Sequence, residues 1–217
     1  MIGKSLVFVA AILTGTLAAA PAGAQNSKFD GTYLGAYLSY SSINAELTTS
    51  AGSLGDATLD GFGGGVLAGY GGTNGWLYIS FEVEAGYDGA QWGESETVAG
   101  VGSASLDLQT KASLGVSGRI GAVVDQNYLV YGKIGYVRTN AEATGQLNLV
   151  GVGSTSATVD DWYDGFRFGG GVEGFIANNI SVRAEYTYTI YDMPDLVPGL
   201  GIDADQHLLR LGASYYF

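Results

Sequence analysis

The sequence predicts an all-β fold, an eight-stranded antiparallel up-and-down transmembrane β-barrel with short periplasmic turns and longer extracellular loops. Three observations carry this reading. Eight segments alternate apolar with polar residues, their connections alternate between short and long, and an export leader precedes them. Successive side chains of a strand point to opposite sheet faces, so a period of two marks a strand with two different surroundings.

The leader comes first in the chain. Lys4 supplies a short basic region, Leu6 to Leu13 an apolar run, and Ala22-Gly23-Ala24 a small-x-small cleavage site. Residues 1–24 are therefore expected to be a signal peptide and residues 25–217 the barrel. The apolar run is too short for a spanning helix, and no later segment is apolar enough for one. A membrane home then depends on strands.

The alternating segments cover roughly residues 30–43, 58–71, 75–88, 106–123, 127–143, 162–176, 180–192 and 204–217. Each suits the length of a tilted membrane strand. In the third, Ile79, Phe81, Val83, Ala85 and Tyr87 oppose Ser80, Glu82, Glu84 and Gly86. In the last, Leu209, Leu211, Ala213, Tyr215 and Phe217 oppose Gln206, Arg210, Gly212 and Ser214. Tight turns are expected at Gly72–Asn74, Val124–Gln126 and Ala177–Asn179, and longer loops near 44–57, 89–105, 144–161 and 193–203. Short turns at one end and long loops at the other are the pattern of outer-membrane barrels.

A soluble antiparallel sheet alternates too, and a soluble lipocalin-type barrel would turn its apolar face inward. The membrane reading rests on three further features, of which the export leader is one. Aromatics such as Tyr40, Tyr70, Tyr87, Tyr128, Tyr136 and Tyr215 cap the apolar face near strand ends, as interfacial girdles do. The opposite face carries charges of both signs in mid-strand, which suits an enclosed polar lumen. Composition agrees: 36 glycines and 15 tyrosines beside only 3 prolines fit many short strands and tight turns. With no cysteine, a disulfide framework and a thiolate metal site are excluded. The net charge of -12 and the scatter of nine basic residues argue against a nucleic-acid partner.

Several segments resemble the small OmpA-like, porin-family outer-membrane proteins: FDGTYLGAYLSYSS, GFGGGVLAGYGG, YLVYGKIGYVRT and the final HLLRLGASYYF. The resemblance covers the whole chain after the leader and implies residence in the cell outer membrane, among outer-membrane lipid and lipopolysaccharide. Phe217 and Tyr215, with apolar residues at alternate positions before them, look like the family's C-terminal assembly signal. In the family that strand is read by the barrel-assembly machinery. The expectation is a barrel without the soluble peptidoglycan-binding domain of larger members, so wall anchoring is not carried over.

The polar face places Glu82, Glu84, Lys111, Arg119, Lys133, Arg167, Glu173, Arg183, Glu185 and Arg210 in the lumen, six bases and four acids. An eight-stranded barrel is only just wide enough for its side chains to fill. Buried charges there must pair, so a structural network of salt bridges is expected. A turn about Asn178 sets Glu173 opposite Arg183. Glu82 and Glu84 are expected to face Gly61, Gly63 and Gly65, leaving room for long basic side chains from elsewhere.

The long loops carry no Lys or Arg but several acids, among them Glu46, Asp56, Glu94, Glu96, Glu142 and Asp160. A solvated rim is the simple reading. Loose capture of divalent cations is the sharper one, although no segment matches a twelve-residue calcium loop. The glycine-rich stretch Gly61–Gly72 lacks the Lys-Ser/Thr and the strand-to-helix context of a phosphate loop.

The expected function is structural: a surface protein contributing to envelope integrity or to surface or host contact through its loops. A narrow, low-conductance porin is the alternative, since charged linings also select ions. A lipid-modifying enzyme is a third, unfavoured reading. The one histidine, His207, is followed by Leu208 and Leu209 rather than by a serine, and is expected on the lipid side near the outer interface. No catalytic residue, cofactor or metal is assigned.

Overall fold

The computed structural model describes residues 27–49, 52–98, 102–149, 151, 153–192 and 200–217. The expected leader and cleavage site, residues 1–24, lie outside the described residues. The strands are β1 (Gly31–Thr49), β2 (Gly52–Asn74), β3 (Leu77–Tyr87), β4 (Gln91–Val98), β5 (Gly102–Val124), β6 (Tyr128–Leu149), β7 (Gly153–Phe175), β8 (Ile180–Asp192) and β9 (Leu200–Tyr216). All pairings are antiparallel, and β1 is hydrogen-bonded to both β2 and β9, so the sheet closes on itself. β3 and β4 are two parts of one stave, broken at Asp88–Ala90, because both pair with β5. The barrel therefore has eight staves. Closure leaves no unpaired edge, the condition for strands to cross lipid.

The barrel is inside-out relative to a soluble protein. Along β3, Ser80, Glu82 and Glu84 are buried while Ile79, Phe81, Val83 and Tyr87 are exposed. The same division runs round the circumference, with Leu38, Leu114, Ile120, Ile134, Val172, Val182 and Leu211 all exposed. An apolar belt of this extent is stable only against lipid. Tyr128, Tyr215, Phe217 and Trp76 stand outward near one end, and Tyr40, Phe62, Tyr87 and Trp162 near the other.

Two features of the ladder differ from the sequence reading. The stretches expected as long loops continue the strands as hairpins: β1 stays paired with β2 out to Thr49 and Gly52, β4 with β5 out to Val98 and Gly102, and β6 with β7 out to Leu149 and Gly153. Strands such as β5 and β7, at 23 residues each, are about twice the length needed to span, so their outer halves rise beyond the belt. Residues 193–199 of the fourth loop lie outside the described residues.

The second difference is the first tight turn, which falls at Gly75-Trp76 rather than Gly72–Asn74. Gly75 takes a positive φ of 64°, which residues with a Cβ adopt only with strain. The later turn moves the register, so Glu82 faces Gly69 and Glu84 faces Leu67, not Gly61, Gly63 and Gly65. Nor do the glycines leave room for basic side chains. A Cβ on Gly69 would collide with the Tyr33 ring, and one on Gly65 would lie 2.5 Å from the Tyr37 hydroxyl. The space is taken by inward tyrosines.

Candidate functional site: the filled lumen

The lumen is assembled from one polar position every second residue on seven strands, and it fills in three levels. The lowest level is aromatic. Phe29, in the turn before β1, is fully buried against Phe175, Tyr78 and Tyr216, with ring centroids 4.8, 6.0 and 6.0 Å away. Asp30 anchors that turn, accepting hydrogen bonds from the backbone N–H and the hydroxyl of Thr73 at 2.6 and 2.8 Å. The N-terminal segment thus closes the end that carries the tight turns.

The second level joins Glu82 and Glu173 to Arg119 and Arg183. Arg183 donates to Glu82 at 2.6 Å, and Arg119 donates to Glu173 at 2.9 Å. Glu173 faces Arg183 across the β7–β8 ladder, but their charged atoms are 3.7 Å apart. The remaining acceptor capacity of Glu173 is used by Ser181 at 2.6 Å and Tyr216 at 2.9 Å. Arg119 also donates to the hydroxyls of Tyr33 and Tyr78 and lies over the Tyr131 ring, 4.6 Å from its centroid. A guanidinium is planar and weakly hydrated, so it tolerates this dry, aromatic setting better than an ammonium.

The third level centres on Glu84. It accepts from Arg167 at 2.6 Å, Arg210 at 2.8 Å and Lys133 at 3.0 Å. Glu185 takes a second bond from Lys133 at 3.1 Å and one from Tyr131 at 3.0 Å. Lys133 also lies 3.4 Å from Glu82, tying the two charged levels together. Every side chain of these nine charged residues is at most 5% exposed. Five bases meet four acids, so each carboxylate is shared and neither sign is left unpartnered.

Lys111 departs from the expected set. The ladder slips between Thr110 and Ser113, and both of these are buried although three residues apart. The bulge resets the alternation and keeps Lys111 out of the lumen. Its side chain is 36% exposed and its ammonium donates to Glu142 at 2.6 Å. The inward tyrosines were the residues that sequence reasoning missed. Tyr33 and Tyr37 alternate with Leu34, Ala36 and Leu38, so the signal was present in the same period of two.

His207 lies on the outer wall. Its Nδ1 is 2.7 Å from the Tyr186 hydroxyl and its Nε2 is 3.4 Å from Asp205, and its ring sits beside Tyr188. Tyr215 and Phe217 also point outward, 48% and 70% exposed. Among the described residues, no group of three or more His, Cys, Asp or Glu side chains is placed to hold a metal ion.

A closed eight-stave barrel with an apolar outer belt and a polar, charge-filled lumen defines an integral outer-membrane protein. Comparison with known proteins narrows this: residues 8–217 match the family model described as the outer membrane protein beta-barrel domain, and the chain belongs to that family. It is 31% identical over 161 residues to the 22 kDa outer membrane protein of Rhizobium leguminosarum bv. viciae, covering 72% of this chain and 67% of the relative. It is 27% identical over 184 residues to the 31 kDa outer-membrane immunogenic protein of Brucella melitensis biotype 1, covering 77% and 70%. These relatives are named as outer-membrane proteins, not as enzymes. Among solved structures, the outer membrane protease OmpT of Escherichia coli superimposes with a TM-score of 0.50 at 11% identity, over 89% of this chain and 99% of that one. At that identity the likeness concerns the fold alone. The chain is a protein of the cell outer membrane.

Proposed function

We propose that this barrel is a structural and surface protein of the outer membrane: a sealed span that carries hairpin walls on its outer side. The observation that supports a sealed span most directly is Glu84, which draws three bases from three different strands onto one carboxylate within 3.0 Å. Such a cluster crosses the full width of the lumen, and breaking it exposes an unpaired buried charge. The long outer hairpins supply the contact surface. The Brucella relative is named for its immunogenicity, which agrees with a role at the cell surface. Lipopolysaccharide is the expected neighbour of the outer girdle, and the outward exposure of Tyr215 and Phe217 supports their being read by an assembly machinery.

Single-channel recording of the refolded barrel in a planar bilayer tests this reading. The wild type is expected to give no discrete steps, and Glu84→Ala to give small ones. Reproducible wild-type steps whose size changes in Glu84→Ala would replace the sealed reading with the narrow-porin reading.

A further inference from the structure

Above the Glu84 level the lumen changes character. Inward positions turn from charged to mainly apolar: Ile43, Leu59, Ala90, Val137, Tyr191 and Ala204 are all buried there, with Asp88 the charged side chain buried beside them. They form two small clusters, Ile43–Leu59–Ala90 with Leu108 against it, and Val137–Tyr191–Ala204 with Ala45 and Tyr163 against it. Between the clusters lies a cavity of about 350 Å³. Its wall takes residues from β1, β2, β5, β6, β7, β8 and β9, including Ala45, Leu108, Ala141 and Val159. A cavity bounded by seven strands is on the barrel axis, not on its outer surface.

We propose that this axial cup is a binding site for a small, uncharged, compact apolar molecule bearing one hydroxyl group. The volume falls within the range of ligand pockets, and barrel mouths are among the places where such pockets form. It equals about a dozen water volumes, and water held against these walls gains few hydrogen bonds. The lining holds one charged residue, Glu142, and its carboxylate is already engaged by Lys111 and Gln109, each at 2.6 Å. No basic residue lines the cup, so an anion finds no partner there.

The floor selects for the hydroxyl. Tyr191 donates to Gln206 at 3.0 Å, Gln206 donates to Ser41 at 2.7 Å, and the Thr139 hydroxyl is 3.1 Å from that of Tyr191. With the Tyr191 proton committed to Gln206, Thr139 donates to Tyr191. Its own oxygen keeps lone pairs for a donor arriving from the cup. The same shelf separates the cup from the charges below, because Gln206 also accepts from Arg167 at 3.4 Å.

The test uses the barrel in lipid nanodiscs with labelled Ile, Leu, Val and Ala methyl groups, titrated with adamantan-1-ol and followed by NMR. The expected result is saturable shifts at Ile43, Leu59 and Leu108. They should vanish in Ala141→Phe and in Ala143→Phe, which fill the cup. Thr139→Val keeps the shape and should weaken binding by roughly threefold to tenfold, the worth of one hydrogen bond. Heat-modifiable gel mobility identifies folded variants, and Thr139→Val serves if a filling variant does not fold. Shifts confined to lipid-facing methyls such as Leu38 and Val130, or cup shifts that persist unchanged in a folded filling variant and in Thr139→Val, would overturn the proposal.

Discussion

Glu84 and Arg167 are 83 residues apart and sit on staves nearly opposite in the barrel, yet a hydrogen bond of 2.6 Å joins them across the axis. Such a bond forms only after the sheet has closed, because until then the two strands have no common interior. The network is therefore a consequence of closure that then resists reopening.

Removing this acid should be costly. Glu84→Ala leaves Arg167, Arg210 and Lys133 without their shared carboxylate, and loss of one partner of a buried pair typically costs about 3–5 kcal/mol. Urea unfolding of the refolded barrel in detergent should show that loss. A midpoint unchanged from wild type would mean that water reaches this level and solvates the bases.

Lys111→Ala should behave differently. Its side chain is 36% exposed at the bulge, where solvent replaces the lost partner. The unfolding midpoint is expected to stay within error of wild type, in Lys111→Ala and in Glu142→Ala alike. A large loss in either would place the pair inside the dry lumen.

Gly69 and Tyr33 should be coupled. A Cβ at Gly69 collides with the Tyr33 ring, and overpacking of this kind costs about 1–3 kcal/mol. Gly69→Ala should therefore destabilise wild type more than it destabilises a Tyr33→Leu background. A double-mutant cycle measures the difference, and additive effects would show that the ring moves aside freely.

Phe29→Ala should open the lower end. The ring is fully buried among three aromatics, and truncating such a side chain costs about 3–5 kcal/mol. Amide exchange at Thr73, whose N–H is held by Asp30 next to Phe29, should accelerate well beyond that of the outer hairpins. Unchanged protection would mean the turn holds itself without the ring.

Much of this barrel can be read from the chain, and the reasons are local. A period of two needs only neighbouring residues, so the inward face of β3, β7, β8 and β9 follows directly from the sequence. A short connection transmits register, which is why the turn around Asn178 sets Glu173 beside Arg183 in the ladder. What escapes is whatever breaks these local rules. The bulge between Thr110 and Ser113 leaves no signature in residue type, and it alone turns Lys111 outward. The turn at Gly75 sits in a run of polar and glycine residues that offers several equivalent positions, and a shift of a few residues changed every partner of Glu82 and Glu84. The outer hairpins read as loops because, above the lipid, both faces meet water and the alternation fades, although the backbone ladder continues.

The placement of basic residues has an electrical consequence. Of the nine in the chain, five lie in the lumen, where Glu82, Glu84, Glu173, Glu185 and buried Asp88 match them, so a breach that removes one carboxylate leaves the bases in excess. The outer mouth keeps exposed Glu46, Asp60, Asp107, Asp160, Asp161 and Asp192. An ion entering a breached barrel would meet two filters in series and of opposite sign, a negative vestibule that turns anions away and a positive throat that turns cations away. Loss of any lumen carboxylate strengthens the throat without weakening the vestibule, so current through such a breach should rectify with the sign of the applied voltage. Even a damaged copy of this protein would then leak few ions of either sign into the periplasm.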